Sequence, residues 1–439
     1  MQESSIEFFR DKTVTLMGLG LLGRGTGDAA FLAQHCKKVF VTDAKSADEL
    51  NASVDALKQY RNIEFFLGGH DEKIFTNTDF VIKGAGVRLD NPHIAAARKN
   101  NIPVYMSTAL FARFSPIQII GVTGTRGKTT VTCMIADILK RAGKRILMGG
   151  NLRGVSTLAL LPAADQFDLA VLELDSWQMQ GFDDLHISPH IGVFTSFSPD
   201  HMNYYDGDMK RYLYDKGSIF RHQKAGEVFV TSPAVAQLFE NETRASQWII
   251  AAPLPADLAL QVPGAHNLLN AGLAKAAAKA CGIDDATIEA ALRDFTSVEG
   301  RLQFVGKWQE RSIYNDNNAT TEEATLAALN AFPASSTVLI FGGADKGLAV
   351  DRLIDYIAAN KIRGVLIKGS GSDRVLERIK TLPVAHSMRE AIAKAIDLSK
   401  PQDNIILSPG FASFGVFKNE YDRSDQFMAE VKKLIEGNA

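Results

Sequence analysis

Gly121-Val122-Thr123-Gly124-Thr125-Arg126-Gly127-Lys128-Thr129-Thr130 lies between an apolar run, Ile117–Ile120, and an amphipathic segment, Thr130–Ala142. The order reads as strand, glycine-rich loop, helix. Such a junction turns backbone N–H groups and a helix N-terminus towards a phosphate chain. In that setting Lys128 reaches the terminal phosphates and the Thr129 hydroxyl ligates Mg²⁺. Gly124, Thr125, Gly127 and Thr130 complete the candidate cradle. Val122 stands where the first glycine of the usual phosphate loop is expected, and the glycines recur instead as Gly121-x-x-Gly124-x-x-Gly127. A tight turn between core elements would account for the glycines, but not for Lys-Thr beside them.

The chain has 439 residues, which predicts two to four domains, and its 46% hydrophobic content suffices for globular cores. With 48 Lys and Arg against 50 Asp and Glu, the two signs interspersed, no nucleic-acid or membrane-surface partner is expected. Cys36, Cys133 and Cys281 are too scattered for a metal site or disulfide framework, which suits a reducing cytoplasm. Met1–Arg10 has no basic leader and no long apolar run, so a signal peptide is not expected. Nor does any apolar stretch approach the length of a membrane span. A cytoplasmic monomer follows as the expectation.

Three α/β blocks are expected, at 1–110, 111–299 and 300–439. The first opens with strand Thr13–Met17, the turn Gly18-Leu19-Gly20-Leu21-Leu22-Gly23 and a helix to His35, followed by strand Lys38–Thr42 ending at Asp43. This is a Rossmann-like βαβ pattern. In isolation it would suggest dinucleotide binding, with Asp43 on a ribose, but a dehydrogenase would leave the second loop at Lys128 without a role. The middle block carries strands at Asp168–Leu174, Ile191–Ser196 and Glu227–Thr231. The third alternates strands Ser312–Tyr314, Thr337–Phe341, Gly364–Ile367 and Asn404–Leu407 with helices, and closes with helix Ser424–Glu436. Short connections suggest blocks that hinge on one another.

The pattern Gly-x-Thr-Gly-Thr-x-Gly-Lys-Thr resembles the nucleotide loop of the Mur ligases and the related folylpolyglutamate synthases, ATP-dependent amide ligases of three domains. Further motifs in the same order carry the resemblance across nearly the whole chain, closest to the D-glutamate-adding members. It implies a central P-loop-type ATPase α/β sheet flanked by two Rossmann-like domains. Glu173, in Glu173-Leu174-Asp175-Ser176-Trp177-Gln178, maps onto the family's metal ligand. His201, after Asp200, maps onto a contact of a second Mg²⁺, and Lys216 onto the lysine that the family carbamylates. With Lys128 and Thr129 these form the implied catalytic and metal set. Asn270, in His266-Asn267-Leu268-Leu269-Asn270, is implied to read adenine, Arg301 to lie near ATP and Asp316 to hold its ribose. Gly20, Leu21, Leu22, Thr42, Asp43 and Gly86 would line a UDP pocket, and Asn151 would touch the muramoyl group. Lys45 reads equally as a diphosphate contact or a solvated charge.

Thr320, Lys346, Ser413 and Phe414 match positions that bind the incoming glutamate. The resemblance thus implies a D-glutamate ligase acting on UDP-N-acetylmuramoyl-L-alanine, with ATP and two Mg²⁺ as cofactors. Four departures stand out. Asp175 replaces a serine and reads equally as a further hard ligand or substrate contact, or as a turn residue, and Trp177 replaces a smaller aromatic. Asn318 replaces a lysine that would neutralise phosphate, which keeps a non-catalytic nucleotide-binding protein in view. Glu420 replaces an aromatic near the amino-acid pocket, which leaves a sister ligase with another amino acid as the nearest alternative.

Overall fold

The computed structural model describes residues 6–258 and 260–437, so the first five residues of the N-terminal stretch read above lie outside the described residues. Three sheets organise the chain. The first joins β1 (Thr13–Met17), β2 (Lys38–Asp43), β3 (Ile63–Leu67), β4 (Phe80–Lys83) and β5 (Val104–Tyr105) in the order β3-β2-β1-β4-β5. The second holds β6 (Gln118–Thr123), β7 (Ile146–Gly150), β8 (Leu169–Glu173), β9 (Ile191–Phe194), β10 (Val228–Thr231) and β11 (Gln247–Ile250) in the order β11-β10-β9-β6-β8-β7. The third contains β12 (Gln303–Trp308), β13 (Arg311–Asn315), β14 (Thr337–Gly342), β15 (Arg363–Ile367), β16 (Val384–Ala385) and β17 (Asn404–Leu407), ordered β12-β13-β17-β14-β15-β16.

Among the described residues the named strands all pair in parallel except β12 with β13. Helices cover both faces of a parallel sheet, so its central strands are apolar throughout rather than alternating. Val338, Leu339, Ile340 and Phe341 of β14 are all sealed from solvent, as are Ile120 and Val122 of β6. Strand order reverses at β1 in the first sheet and at β6 in the second. Ligands of such folds settle at the carboxyl ends of the strands where the order reverses. Both glycine turns leave those two strand ends.

The described chain divides into two compact units, one of residues 1–252 with 270–291, the other of 253–269 with 292–439. The first two sheets therefore share one unit. Within it, helix Arg24–His35 abuts the segment after β7, where Ser156 donates to Asp28 at 2.5 Å. Among the described residues no helix is long and apolar enough to cross a membrane.

Candidate active site

The loop after β6 can exist only with glycine at two places. Gly124 has φ +142° and a Cβ there would lie 2.0 Å from Thr195 Oγ1. Gly127, with φ +86°, caps helix Lys128–Arg141, and its Cβ would come within 2.5 Å of Asn270 Oδ1. Asn270 thus stands against the phosphate loop, whereas Asn267 donates to the Pro263 carbonyl.

Two lysines converge on one carbonyl. Lys128 Nζ donates to the Gly124 and Thr125 oxygens at 3.1 and 3.2 Å, and Lys216 Nζ donates to the same Gly124 oxygen at 2.8 Å. Lys216 lies in helix Met209–Arg221, is 1% exposed, and sits 4.9 Å from the Tyr212 ring centroid. Burial, reinforced by the Lys128 charge, pushes its amine well below the usual lysine range. Thr129 and Thr130 follow Lys128 in the first helical turn.

The segment after β9 is fastened to this loop. Thr125 Oγ1 donates to the Ser198 carbonyl and accepts from the Ser198 N–H, both at 3.1 Å, and Arg126 pairs with Asp200 at 3.1 Å. His201 follows at φ +55°, its ring 4.7 Å from that of Trp177. Burial holds its imidazole below the usual histidine range, with Asp200 opposing, so at neutral pH it favours the neutral, lone-pair-bearing form. Glu173 ends β8 in register with Val122 of β6 and Gly150 of β7. It is 4% exposed, and its Oε2 has no hydrogen-bond partner among the described residues. Asp175 takes the turn role: its Oδ1 accepts from the Gln178 N–H at 2.7 Å, while Gln178 Oε1 accepts from the Asp175 N–H. That reciprocal cap starts helix Ser176–Asp184.

At the end of β1, Asp43 organises the glycine turn from within. One carboxylate oxygen accepts from the Gly20 N–H at 2.9 Å and the other from the Lys45 N–H at 3.0 Å. Leu21 and Leu22 are exposed there, and space around Gly86 is open. The Thr42 hydroxyl contacts His70 Nδ1 at 2.8 Å. The Lys45 side chain is exposed. Asn151 follows β7, its N–H bonded to the Glu173 carbonyl at 2.7 Å, and Gly154 packs against Gly23. The glycine turn, Asn151 and Glu173 therefore belong to one continuous region of the first unit. Arg88 braces it, donating to the Tyr204 carbonyl at 2.7 Å and to Asp206 at 2.9 Å.

In the second unit, β13, β17 and β14 lie side by side, with Asn315 and Ile340 both paired to Leu407. Their three following loops start at one level. Asp316 accepts from the Leu302 N–H at 3.0 Å and the Ser408 hydroxyl at 2.8 Å. Gly410 N–H reaches the Ala319 carbonyl at 2.8 Å, and Ala344 and Ala412 exchange backbone bonds. These links gather Thr320, Lys346, Ser413 and Phe414 around one sheet end. Lys346 Nζ lies 3.5 Å from Thr320 Oγ1, Ser413 is buried, and Phe414 is 54% exposed. Arg301 Nη1 approaches the Asn318 carbonyl at 3.5 Å, and the Asn318 side chain turns to the Glu299 carbonyl at 3.4 Å.

Three family models match in series. They are the Mur ligase MurD-like N-terminal domain at residues 12–106, the Mur ligase middle domain at 122–252 and the Mur ligase glutamate ligase domain at 300–411. A UDP-N-acetylmuramoylalanine–D-glutamate ligase of Roseiflexus sp. is 33% identical over 96% of this chain and 99% of its own. Enzymes of the same name from Borreliella afzelii and Streptococcus thermophilus are 31% and 32% identical, over 96% and 98% of this chain and 97% and 99% of theirs. This chain belongs to the Mur ligase family. The UDP-N-acetylmuramate–alanine ligase of Thermotoga maritima shares the fold at TM-score 0.60 and 20% identity, covering 96% of this chain and 99% of that one. So does the MurF ligase of the same organism, solved with ADP, at TM-score 0.60 and 14% identity over 100% of both chains.

The protein is therefore an ATP-dependent amide ligase with three parallel-sheet domains of the Mur type. Its residues suit a nucleotide-borne cation. Among the described residues no three His, Cys, Asp or Glu side chains cluster as a self-sufficient metal site. A buried carboxylate oxygen lacking a partner, next to a phosphate loop, is the donor that a hard cation shared with phosphates would use. The sequence reading gave no role to two residues of this Mur ligase that the structure brings forward. Arg88 is a single arginine without motif spacing, Arg423 ends the stretch Phe417–Arg423 with no part assigned, and only tertiary contact reveals their partners.

Proposed function

We propose that this Mur ligase joins D-glutamate to UDP-N-acetylmuramoyl-L-alanine, with ATP, in peptidoglycan precursor synthesis. The observation that carries the reading is the full-length likeness to enzymes named for that reaction. We assign the UDP substrate to Gly20, Leu21, Leu22, Thr42, Asp43, Gly86 and Asn151. ATP falls to Gly124, Thr125, Gly127, Lys128, Thr129, Thr130, Asn270, Arg301 and Asp316. Glutamate falls to Thr320, Lys346, Ser413 and Phe414. Domain limits follow at 1–110, 111–299 and 300–439.

The substrate carboxylate attacks the γ-phosphorus of ATP, ADP leaves, and an acyl phosphate results. The glutamate amine then attacks the acyl carbon, a proton is lost, and phosphate departs from the tetrahedral intermediate. The first step brings two anions together, so its barrier is largely electrostatic. Lys128 answers this directly, because its ammonium can leave two loop carbonyls for the phosphates. Mg²⁺ at Thr129 and Glu173, and a second ion near His201 and Lys216, would supply the remaining neutralisation. The lowered basicity of Lys216 suits carbamylation: its neutral nitrogen adds to CO₂, a proton leaves, and an anionic oxygen ligand replaces an amine. Asn318 does not remove the charge that Lys128 already places at the loop.

The test is phosphate release from Mg-ATP with UDP-N-acetylmuramoyl-L-alanine and a panel of amino acids including both glutamate enantiomers. Release that requires the nucleotide substrate and D-glutamate together is expected. Release with another amino acid alone moves the specificity, and none with any amino acid would sink the ligase assignment for this chain.

A further inference from the structure

Arg423 lies in the final helix, Glu420–Glu436, and is sealed from solvent. Its guanidinium spends its donors on neutral oxygens. Nε donates to Asn317 Oδ1 at 2.7 Å, Nη2 to the Asn317 carbonyl at 3.0 Å and Nη1 to the Phe411 carbonyl at 3.1 Å. Asn317 Nδ2 in turn donates to the Glu420 carbonyl at 2.8 Å. One side chain thus ties together the turn after β13, the loop after β17 and the start of the last helix.

Among the described residues no carboxylate is in hydrogen-bonding contact with Arg423. Asp316 is occupied by Leu302 and Ser408, and Asp422 accepts from the Lys418 N–H at 2.9 Å. Glu420 is the opposing charge that Arg423 feels, and it is exposed. Burial lowers the guanidinium to about 10, which still leaves it charged at neutral pH. A buried cation without an ion pair is costly, and an apolar side chain of similar size could fill the same volume. The charge is bonded to the Phe411 carbonyl, in the loop that goes on to Ser413 and Phe414.

We infer that Arg423 is a positioning residue for the amino-acid substrate. It locks the Asp316 turn against the Ser413 loop, and its unpaired charge biases that loop towards an acidic amino acid, offsetting Glu420. The inference rests on the proposed assignment of glutamate to this loop. It predicts two separable losses. Arg423→Lys keeps the charge and loses the planar fork. Asn317→Asp keeps the fork and neutralises the charge with a side chain of the same shape, at the cost of the Nδ2 bond to the Glu420 carbonyl.

The experiment measures KM for glutamate, for glutamine as its neutral counterpart, and for the UDP substrate, in wild type and both variants. Arg423→Lys is expected to raise the KM of both amino acids about tenfold, equivalent to about 1.4 kcal/mol. Asn317→Asp should raise the glutamate KM by a similar factor while sparing glutamine. The KM of the UDP substrate should stay within about twofold throughout, well under that tenfold step. Glutamate and glutamine affected equally by Asn317→Asp, or all three KM values unchanged, would overturn the inference. So would a wild-type preference for a neutral or basic amino acid. Should the wild type release no phosphate with any amino acid, the ligase assignment itself fails and hydrogen exchange decides the clamp. Faster exchange at the Gly410 and Ala412 amides in Arg423→Lys would keep it; unchanged exchange would overturn it.

Discussion

Replacing Glu173 with Gln should stabilise the free protein while disabling the enzyme. The carboxylate is 4% exposed and one of its oxygens has no partner among the described residues. A buried polar atom left unsatisfied costs about 1–3 kcal/mol, and a charged one costs more. Gln has the same shape without the charge, so the substitution trades a large penalty for a smaller one. The net gain is about 1–2 kcal/mol, or roughly 2–6 °C in melting temperature for a unit of this size. The ligand response should move the other way. Mg-ATP at a hundred times its dissociation constant stabilises wild type by about 2.7 kcal/mol, and the variant should forfeit most of that. Thermal melts with and without Mg-ATP, alongside phosphate release, give both numbers. A variant that melts lower than wild type when free, yet keeps the full Mg-ATP shift, would refute the metal-ligand argument.

Other perturbations separate the remaining roles. Lys128→Ala should cut phosphate release by about 10²–10³, the usual cost of losing one electrostatic contact to developing charge, with the free melting temperature nearly unchanged. A melt lowered in proportion to the lost activity would make Lys128 structural instead. Lys216→Ala should lose most activity and regain part of it with added formate or acetate, if an anionic carbamate is the ligand; no rescue removes the carbamate. Asp28, buried and bonded to Ser156, is pushed up by burial to about 6 from an ordinary 3.8. Its folded form therefore holds a proton that the unfolded chain releases. Stability from this group is complete below pH 3.8 and is lost as pH rises through about 6, a swing of up to about 3 kcal/mol. Urea titrations of wild type and Asp28→Asn between pH 4 and 7.5 should show that slope in the first and a flatter profile in the second. Parallel profiles would rule out Asp28 as its source.

Strands with continuous apolar runs were legible within a residue or two: Thr13–Met17 is β1, and Asn404–Leu407 is β17. Short or half-exposed strands were not. Ile63–Leu67 shows no clean alternation of burial, and Val104–Tyr105 is too brief to carry a period. The antiparallel β12–β13 hairpin escaped for a chemical reason. Its two-residue turn, Gln309-Glu310, has positive φ at both positions, where sequence reading looks for Asn or Gly. The closing helix expected at Ser424–Glu436 begins earlier, at Glu420. The strand–loop–helix junction before Lys128 was visible because its signals lie in ten consecutive residues. That Lys216 would reach Gly124 across 92 positions was available only through resemblance. Asp175 was undecided in sequence, and its reciprocal bonds with Gln178 show it capping a helix.

The three loops of the second unit begin at the same height because β13, β17 and β14 run parallel in aligned register. Each loop grows from its own buried strand, so it can be rewritten without disturbing the strands beneath. The loops are bonded to one another, Ser408 to Asp316, Gly410 to Ala319 and Ala344 to Ala412, so a change in one is felt by the other two. Three short segments therefore vary as a set above strands that stay put.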